Sequence, residues 1–262
     1  MTLLDVNALH AGYGKKQVLA DVCFSSDSHE LTGVLGPNGC GKTTLLKVLC
    51  GILPSQGEIR MAGRDIRRLT PRQLAALCRY IPQRCGITID ISLTDVVLMG
   101  FNPQLALLAY PSADMRRQAW DALETVGLGD KKYANFQTLS EGQKQLCLLA
   151  RALLLSQGVL LLDEPESALD FRERYRMLGL IRAWLAQRDG CAVVTLHDPQ
   201  LALNTCDRLL LMQDGQLVSA LSPKTDSEET LEKALSALFG PLSVCRFHDH
   251  EGRSQLILLN EG

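Results

Sequence analysis

An α/β fold with a mainly parallel sheet is expected from two features of this chain: short apolar runs bounded by turn residues, and helical patterns lying between them. The runs are Leu31 to Leu35, Val159 to Leu162, Ala192 to Leu196 and Leu209 to Met212, each the length of a buried strand. The opening of the chain differs. Leu3 to Leu9, Val18 to Phe24 and Glu58 to Met61 are separated by glycine-containing turns such as Gly12-Tyr13-Gly14, which is hairpin chemistry, so an antiparallel patch should flank the main sheet. From about Arg84 to Gln157 the strand patterns stop and amphipathic helices take over, as in Ala113 to Val126 and Ser140 to Leu155. This reads as a helical subdomain inserted into the α/β core. After Pro223 an acidic-start helix, Ser227 to Phe239, precedes two strand-like runs, Leu242 to Phe247 and Gln255 to Leu259, around the polar turn His248 to Ser254. The expected division is a main domain over 1–222, with its helical insertion at about 84–157, and a C-terminal helix and β-hairpin over 223–262.

Composition narrows the possible roles. The 262 residues are 46% hydrophobic and carry a net charge of −2, which excludes disorder and gives no basic field for nucleic acid. The longest uncharged stretch, Val96 to Ala113, contains Asn102, Pro103, Gln104 and Pro111, so it falls short of the roughly 18 apolar residues that membrane spanning requires. No secretory leader pattern opens the chain, because Asp5, Asn7 and His10 interrupt any apolar run. The nine cysteines form no CxxC pair and mostly lie inside apolar patterns, so they read as buried thiols of a reducing cytosol.

The chemistry concentrates in three motifs. Gly36, Pro37, Asn38, Gly39, Cys40, Gly41, Lys42 and Thr43 fit G-x-x-x-x-G-K-[ST] between a strand pattern and the helix pattern Thr44 to Cys50. In that setting the glycines turn backbone N–H groups inward as an anion nest, Lys42 reaches the β- and γ-phosphates, and the Thr43 hydroxyl ligates Mg²⁺. The run Val159 to Leu162 ends in Asp163 and Glu164. A carboxylate delivered beside phosphates calls for a metal ion, which suits Asp163, while Glu164 is suited to polarising a water for attack on the γ-phosphate. The third motif, Leu139-Ser140-Glu141-Gly142-Gln143, is an S-x-x-Q capping box at a helix start.

With that third motif the chain resembles the ATP-binding-cassette ATPases, whose LSGGQ signature it matches at four of five positions. The resemblance runs over nearly the whole chain and implies a P-loop NTPase (RecA-like) core that binds ATP and Mg²⁺. It implies that Tyr13 stacks on adenine, that Thr44 closes the phosphate loop, and that Gln83 touches Mg²⁺ and relays to a membrane partner. It also implies that His197 contacts the γ-phosphate, and that Ser140, Gly142, Gln143 and Asp170 act on ATP held by a second copy of the chain. The implied catalytic set is therefore Glu164, His197, Lys42 and Gln83, with Thr43, Gln83 and Asp163 around the metal.

Three departures stand out. Glu141 replaces a signature glycine and is expected to point away from phosphate; Glu166 replaces the usual Thr and is expected to affect only its turn. Cys40 reads as a small filler, though an anion nest would depress its pKa and make it a target for thiol reagents that ATP blocks. Ser92 to Pro103 resembles a stretch of the importers for iron-siderophore, haem and cobalamin, although Phe101 stands where Arg is common. That implies a homodimer peripheral to the cytoplasmic face of a membrane, a separate integral-membrane permease touching Gln83 to Gly100, and, indirectly, an extracellular or periplasmic substrate-binding protein. A soluble cassette ATPase of the iron-sulfur assembly type is the alternative, and a P-loop kinase is disfavoured by Leu139 to Gln143. His248-Asp249-His250 reads as a polar hairpin tip rather than a metal site, because alternate residues of an extended segment share a face that excludes the middle one.

Overall fold

The computed structural model describes residues 1–106, 109–154, 156–248, 252 and 254–260. Along the chain, β1 (Thr2–Tyr13) and β2 (Lys16–Asp27) form a hairpin, and β3 (Leu31–Leu35) leads through a glycine-rich loop into α1 (Lys42–Leu49). Next come β4 (Ser55–Met61), β5 (Arg64–Asp65), α2 (Pro71–Leu77) and β6 (Cys78–Ile81). The helical segment holds α3 (Leu93–Leu98), α4 (Ala113–Thr125) and α5 (Glu141–Leu153). The core resumes with β7 (Gly158–Asp163), α6 (Phe171–Gln187), β8 (Gly190–Thr195), α7 (Pro199–Thr205), β9 (Arg208–Gln213) and β10 (Gln216–Leu221). Last are α8 (Glu228–Phe239), β11 (Leu242–His248) and β12 (Ser254–Asn260).

Two sheets face each other across α1. The first is antiparallel in the order β2-β1-β4-β5; the second has six strands in the order β10-β9-β3-β8-β7-β6. In the second sheet every pairing is parallel except that of β9 with the edge strand β10. Strict alternation along its strands sorts the side chains into two cores. Val34, Val159, Leu161, Val193, Leu210 and Met212 pack with α1 and the antiparallel sheet. Leu35, Leu160, Leu162, Val194, Leu209 and Leu211 belong instead to a cluster that runs on into α3, α4 and α5. The helical insertion thus shares one apolar core with the sheet it interrupts.

Several elements were not legible in the sequence. Cys78 to Ile81 forms an edge strand although only Cys78 and Ile81 of it are buried, and β10 alternates too weakly in hydrophobicity to be seen alone. Helix α1 starts at Lys42, two residues before the expected Thr44, because Gly41 with φ of +112° serves as its N-cap. Ser140 caps α5 from outside and the helix stops at Leu153; the expected end at Leu155 lies outside the described residues. His248 ends β11 as an exposed residue, while Asp249 and His250 also lie outside the described residues. The hairpin is tied to the core through α7. Gln200 and Asn204 exchange hydrogen bonds with the backbone of Leu256 and Leu258 at 2.5–2.9 Å, standing in for a neighbouring strand. All nine cysteines are free, five of them buried and Cys23 exposed.

Candidate active site

The loop from Gly36 to Gly41 wraps around the start of α1. Gly36 is required there because a Cβ would lie 2.2 Å from the Met212 carbonyl oxygen, and Gly41 because its φ of +112° suits only glycine. The Gly215 amide donates to Cys40 O at 2.9 Å, pinning the loop to the turn between β9 and β10. Lys42 is 5% exposed, and its ammonium donates to Gly36 O at 2.7 Å and Pro37 O at 3.3 Å, which centres a cation inside the loop. A cavity of about 130 Å³ opens there, lined among others by Val18, Asn38, Gly39, Lys42, Thr43 and Glu164. The open N-terminus of α1 and the buried ammonium make this an anion site. Cys40 is buried, and burial pushes its pKa up rather than down, which counts against the alternative of an activated thiol beside the small-filler reading. Desolvation of the thiolate outweighs the attraction of Lys42.

Strand β7 delivers both acidic residues. Asp163 continues the face of Val159 and Leu161, towards α1, and is almost wholly buried. Its Oδ1 accepts from the Thr43 hydroxyl at 3.1 Å and the Thr195 hydroxyl at 3.0 Å, and its Oδ2 from Tyr80 at 3.1 Å. Burial, followed by the charge of Asp163, holds the Tyr80 phenol firmly protonated as that donor. Among the described residues the hydrogen bonds to this buried carboxylate come from neutral hydroxyls, and the hard oxygens of Asp163 and Thr43 at this spacing fit Mg²⁺.

Glu164 turns away from the strand with φ of +46°, a strained conformation for a residue with a Cβ. Thr195 supports the bend by accepting the Glu164 amide at 2.8 Å. The carboxylate then meets two more of the expected residues: Gln83 Nε2 donates to Oε2 at 2.5 Å, and His197 Nε2 stands 2.6 Å from the same oxygen. Gln83 is therefore brought to Glu164, with which the resemblance grouped it as catalytic, while its hydrogen bond does not go to Thr43 or Asp163, the other residues expected around the metal. Its backbone is held in turn by the buried Gln145 of α5, whose Nε2 donates to Gln83 O at 2.6 Å.

The remaining expected residues lie elsewhere. Tyr13 ends β1 with its side chain about half exposed, on the hairpin whose Val18 lines the loop cavity. Ser140 and Gln143 form the reciprocal capping box of α5, and Glu141 pairs with Lys144 at 2.8 Å on the same helix. Gly142 packs beneath the turn before Asp170, where a Cβ would stand 3.1 Å from Ala168 O. Asp170 caps α6 by accepting the Glu173 amide. Among the described residues, none of the hydrogen bonds of Ser140, Gln143 and Asp170 reaches the phosphate loop.

Glu166 corrects an expectation. Its carboxyl is buried, Oε1 accepts the His197 amide at 3.1 Å, and so its reach extends well beyond its own turn. Tyr80, Gln145, Thr195 and Glu166 are the site residues that sequence reasoning missed. The available signal was a polar group in an apolar setting, as with Thr195 two places before His197 and Tyr80 three before Gln83.

The comparisons with known proteins follow the same lines. A family model described as "ABC transporter" matches residues 19–167. The chain is 35% identical to a probable iron chelatin transport ATP-binding protein of Helicobacter pylori, over 95% of this chain and 97% of that one. It is 34% identical to a hemin import ATP-binding protein of Pseudomonas entomophila, over 97% and 99% of the two chains. A cobalamin import ATP-binding protein of Halobacterium salinarum is 32% identical over 89% of this chain and 59% of its own. Among solved structures, a putative metal-chelate type ABC transporter in an inward-facing conformation aligns with TM-score 0.82 and 27% identity, over 100% of this chain and 99% of that chain. A nucleotide-free ATP-binding cassette, 23% identical and covering 90% of this chain and 96% of that chain, shares the fold with TM-score 0.78.

Proposed function

Because the chain belongs to the ABC transporter family, we propose that it is the ATP-hydrolysing subunit of an importer that brings in an iron-siderophore, haem, cobalamin or a related metal chelate. Iron chelatin transport, hemin import and cobalamin import by the Helicobacter, Pseudomonas and Halobacterium relatives support the cargo class. Hydrolysis rests above all on Glu164, a buried carboxylate at the edge of the phosphate-loop cavity, held by Gln83 and His197 one residue from Asp163.

In this reading Tyr13 stacks on the adenine, and the loop amides from Gly36 to Thr44 bind the phosphates. Lys42 transfers its ammonium from loop carbonyls to the β- and γ-phosphate oxygens. Asp163 and Thr43, assisted by Gln83, would hold Mg²⁺, which would neutralise charge on the triphosphate. Glu164 takes a proton from the attacking water, the γ-phosphoryl group passes to that water's oxygen, and ADP departs. Gln83 and His197 aim the Glu164 carboxylate at that water, and His197 also contacts the γ-phosphate.

Ser140, Gly142, Gln143 and Asp170 complete the site of a second copy, so the working unit is a homodimer and the chain alone turns over slowly. Residues 1–222 form the hydrolytic unit and 223–262 an appendage. Among the described residues no helix is long and apolar enough to cross a membrane. In this reading the pathway belongs to a permease docked near Gln83 to Gly100 at the cytoplasmic face. Cargo is delivered to that permease by a substrate-binding protein.

Glu164→Gln tests the reading. It should lower ATP turnover by about 100-fold or more, the range of a general base, while retaining ATP and trapping a dimer on gel filtration. A monomeric and fully active variant refutes the assignment. Copurification with a polytopic membrane protein tests the transport role.

A further inference from the structure

We infer that Glu166 is a positioning residue for His197, acting by clamping its backbone amide; the inference rests on the hydrolytic reading above. The chain around Glu166 is a compact turn, with the Ser167 amide bonded to Glu164 O at 3.2 Å and the Leu169 amide to Glu166 O at 3.0 Å. That turn directs the Glu166 carboxyl inward, where the residue is 3% exposed.

On the opposite side, the regular hydrogen bonding of the sheet ends at Leu196, whose amide still reaches Val34 O at 3.1 Å. His197 follows, and α7 opens at Pro199, which has no amide hydrogen to offer. The His197 amide is thus the first beyond the sheet, and Glu166 Oε1 accepts it at 3.1 Å. The imidazole is 42% exposed and not boxed in by packing; its hold on the site is the 2.6 Å contact with Glu164. A ring so lightly enclosed takes its aim from its backbone. Among the described residues Glu166 Oε2 is enclosed with no hydrogen-bond partner, so no side-chain donor competes with the His197 amide for the carboxyl.

The geometry makes Glu166 a brace between the turn that leads to Asp170 and the loop that carries His197. Any movement of that turn reaches the Glu164–His197 pair through one hydrogen bond.

The test uses the full chain with MgATP and two variants of similar volume. Glu166→Gln keeps an acceptor for the His197 amide; Glu166→Met removes it. The Met variant should lose about tenfold or more in kcat with KM for ATP changed less than about twofold, and the Gln variant should stay within about threefold of wild type. A Met variant with wild-type kcat, a Gln variant as slow as Met, or a loss expressed in KM overturns the inference. Because a buried substitution can prevent folding, amide exchange in the unaltered chain supplies a second measurement. The His197 amide should be protected by about 100-fold or more relative to unstructured chain, and an unprotected amide overturns the clamp. A wild-type chain that never hydrolyses ATP refutes the hydrolytic premise instead, while exchange at His197 still reports whether the clamp exists.

Discussion

Replacing Thr195 by Val removes one oxygen and tests whether the two acidic residues are organised from the neighbouring strand. Thr195 is fully buried, and its hydroxyl both accepts the Glu164 amide at 2.8 Å and donates to Asp163 Oδ1 at 3.0 Å. The methyl of Val fills the same space and does neither. A buried N–H left without a partner costs about 1–3 kcal/mol, and a lost bond to a carboxylate about 1.5–3 kcal/mol. Thr43 remains on the same Asp163 oxygen at 3.1 Å and softens the second loss, so the net destabilisation should be about 3 kcal/mol. For a chain of this size, at roughly 2–4 °C per kcal/mol, Tm should fall on the order of 10 °C. Urea unfolding followed by circular dichroism reads the change as a lower midpoint at unchanged slope. Thr195→Ser, which keeps the hydroxyl, should recover most of it. A Thr195→Val variant within about 1 kcal/mol of wild type would show that the hydroxyl does not support the bend at Glu164.

Two other outcomes follow from the geometry. At position 164, where φ is +46°, glycine should be more stable than alanine by about 1 kcal/mol in urea unfolding, the reverse of the usual order; an alanine variant equal to or more stable than glycine would show that the backbone there is unstrained. Burial tends to raise the pKa of Asp207, but hydrogen bonds from Arg182, the Leu31 amide and Lys224 outweigh it and hold the carboxyl below its ordinary 3.8. That contribution to stability is present above pH 3.8 and is lost as pH falls through the lower folded value, so Asp207→Asn should flatten the acid limb of stability against pH; a limb of unchanged steepness counts against it.

The parts of the molecule legible in the sequence share a physical property: their signal is local. The phosphate loop is legible because Gly36, Gly41, Lys42 and Thr43 must follow one another at set spacings for backbone amides to converge on an anion. The buried strands are legible because two-sided burial requires continuous apolar runs, and Asp163-Glu164 stands out as charge at the end of one. The capping box at Ser140 is equally local.

What escaped depends on pairing between distant segments. Edge strands such as Cys78 to Ile81 gain their conformation from the ladder beside them, here Val159 to Leu162, and carry little pattern of their own. The same pairing places Tyr80 against Asp163, and the register of β7 with β8 sets Asp163 directly beside Thr195. Spacing along the chain therefore marked Lys42, Asp163 and Glu164, and the family resemblance added His197, as the groups proposed to do chemistry. The groups that hold them, Tyr80, Gln145, Thr195 and Glu166, are ordinary polar residues in sequence. They acquire meaning only when burial deprives them of water and leaves the nearest protein donors and acceptors as their partners.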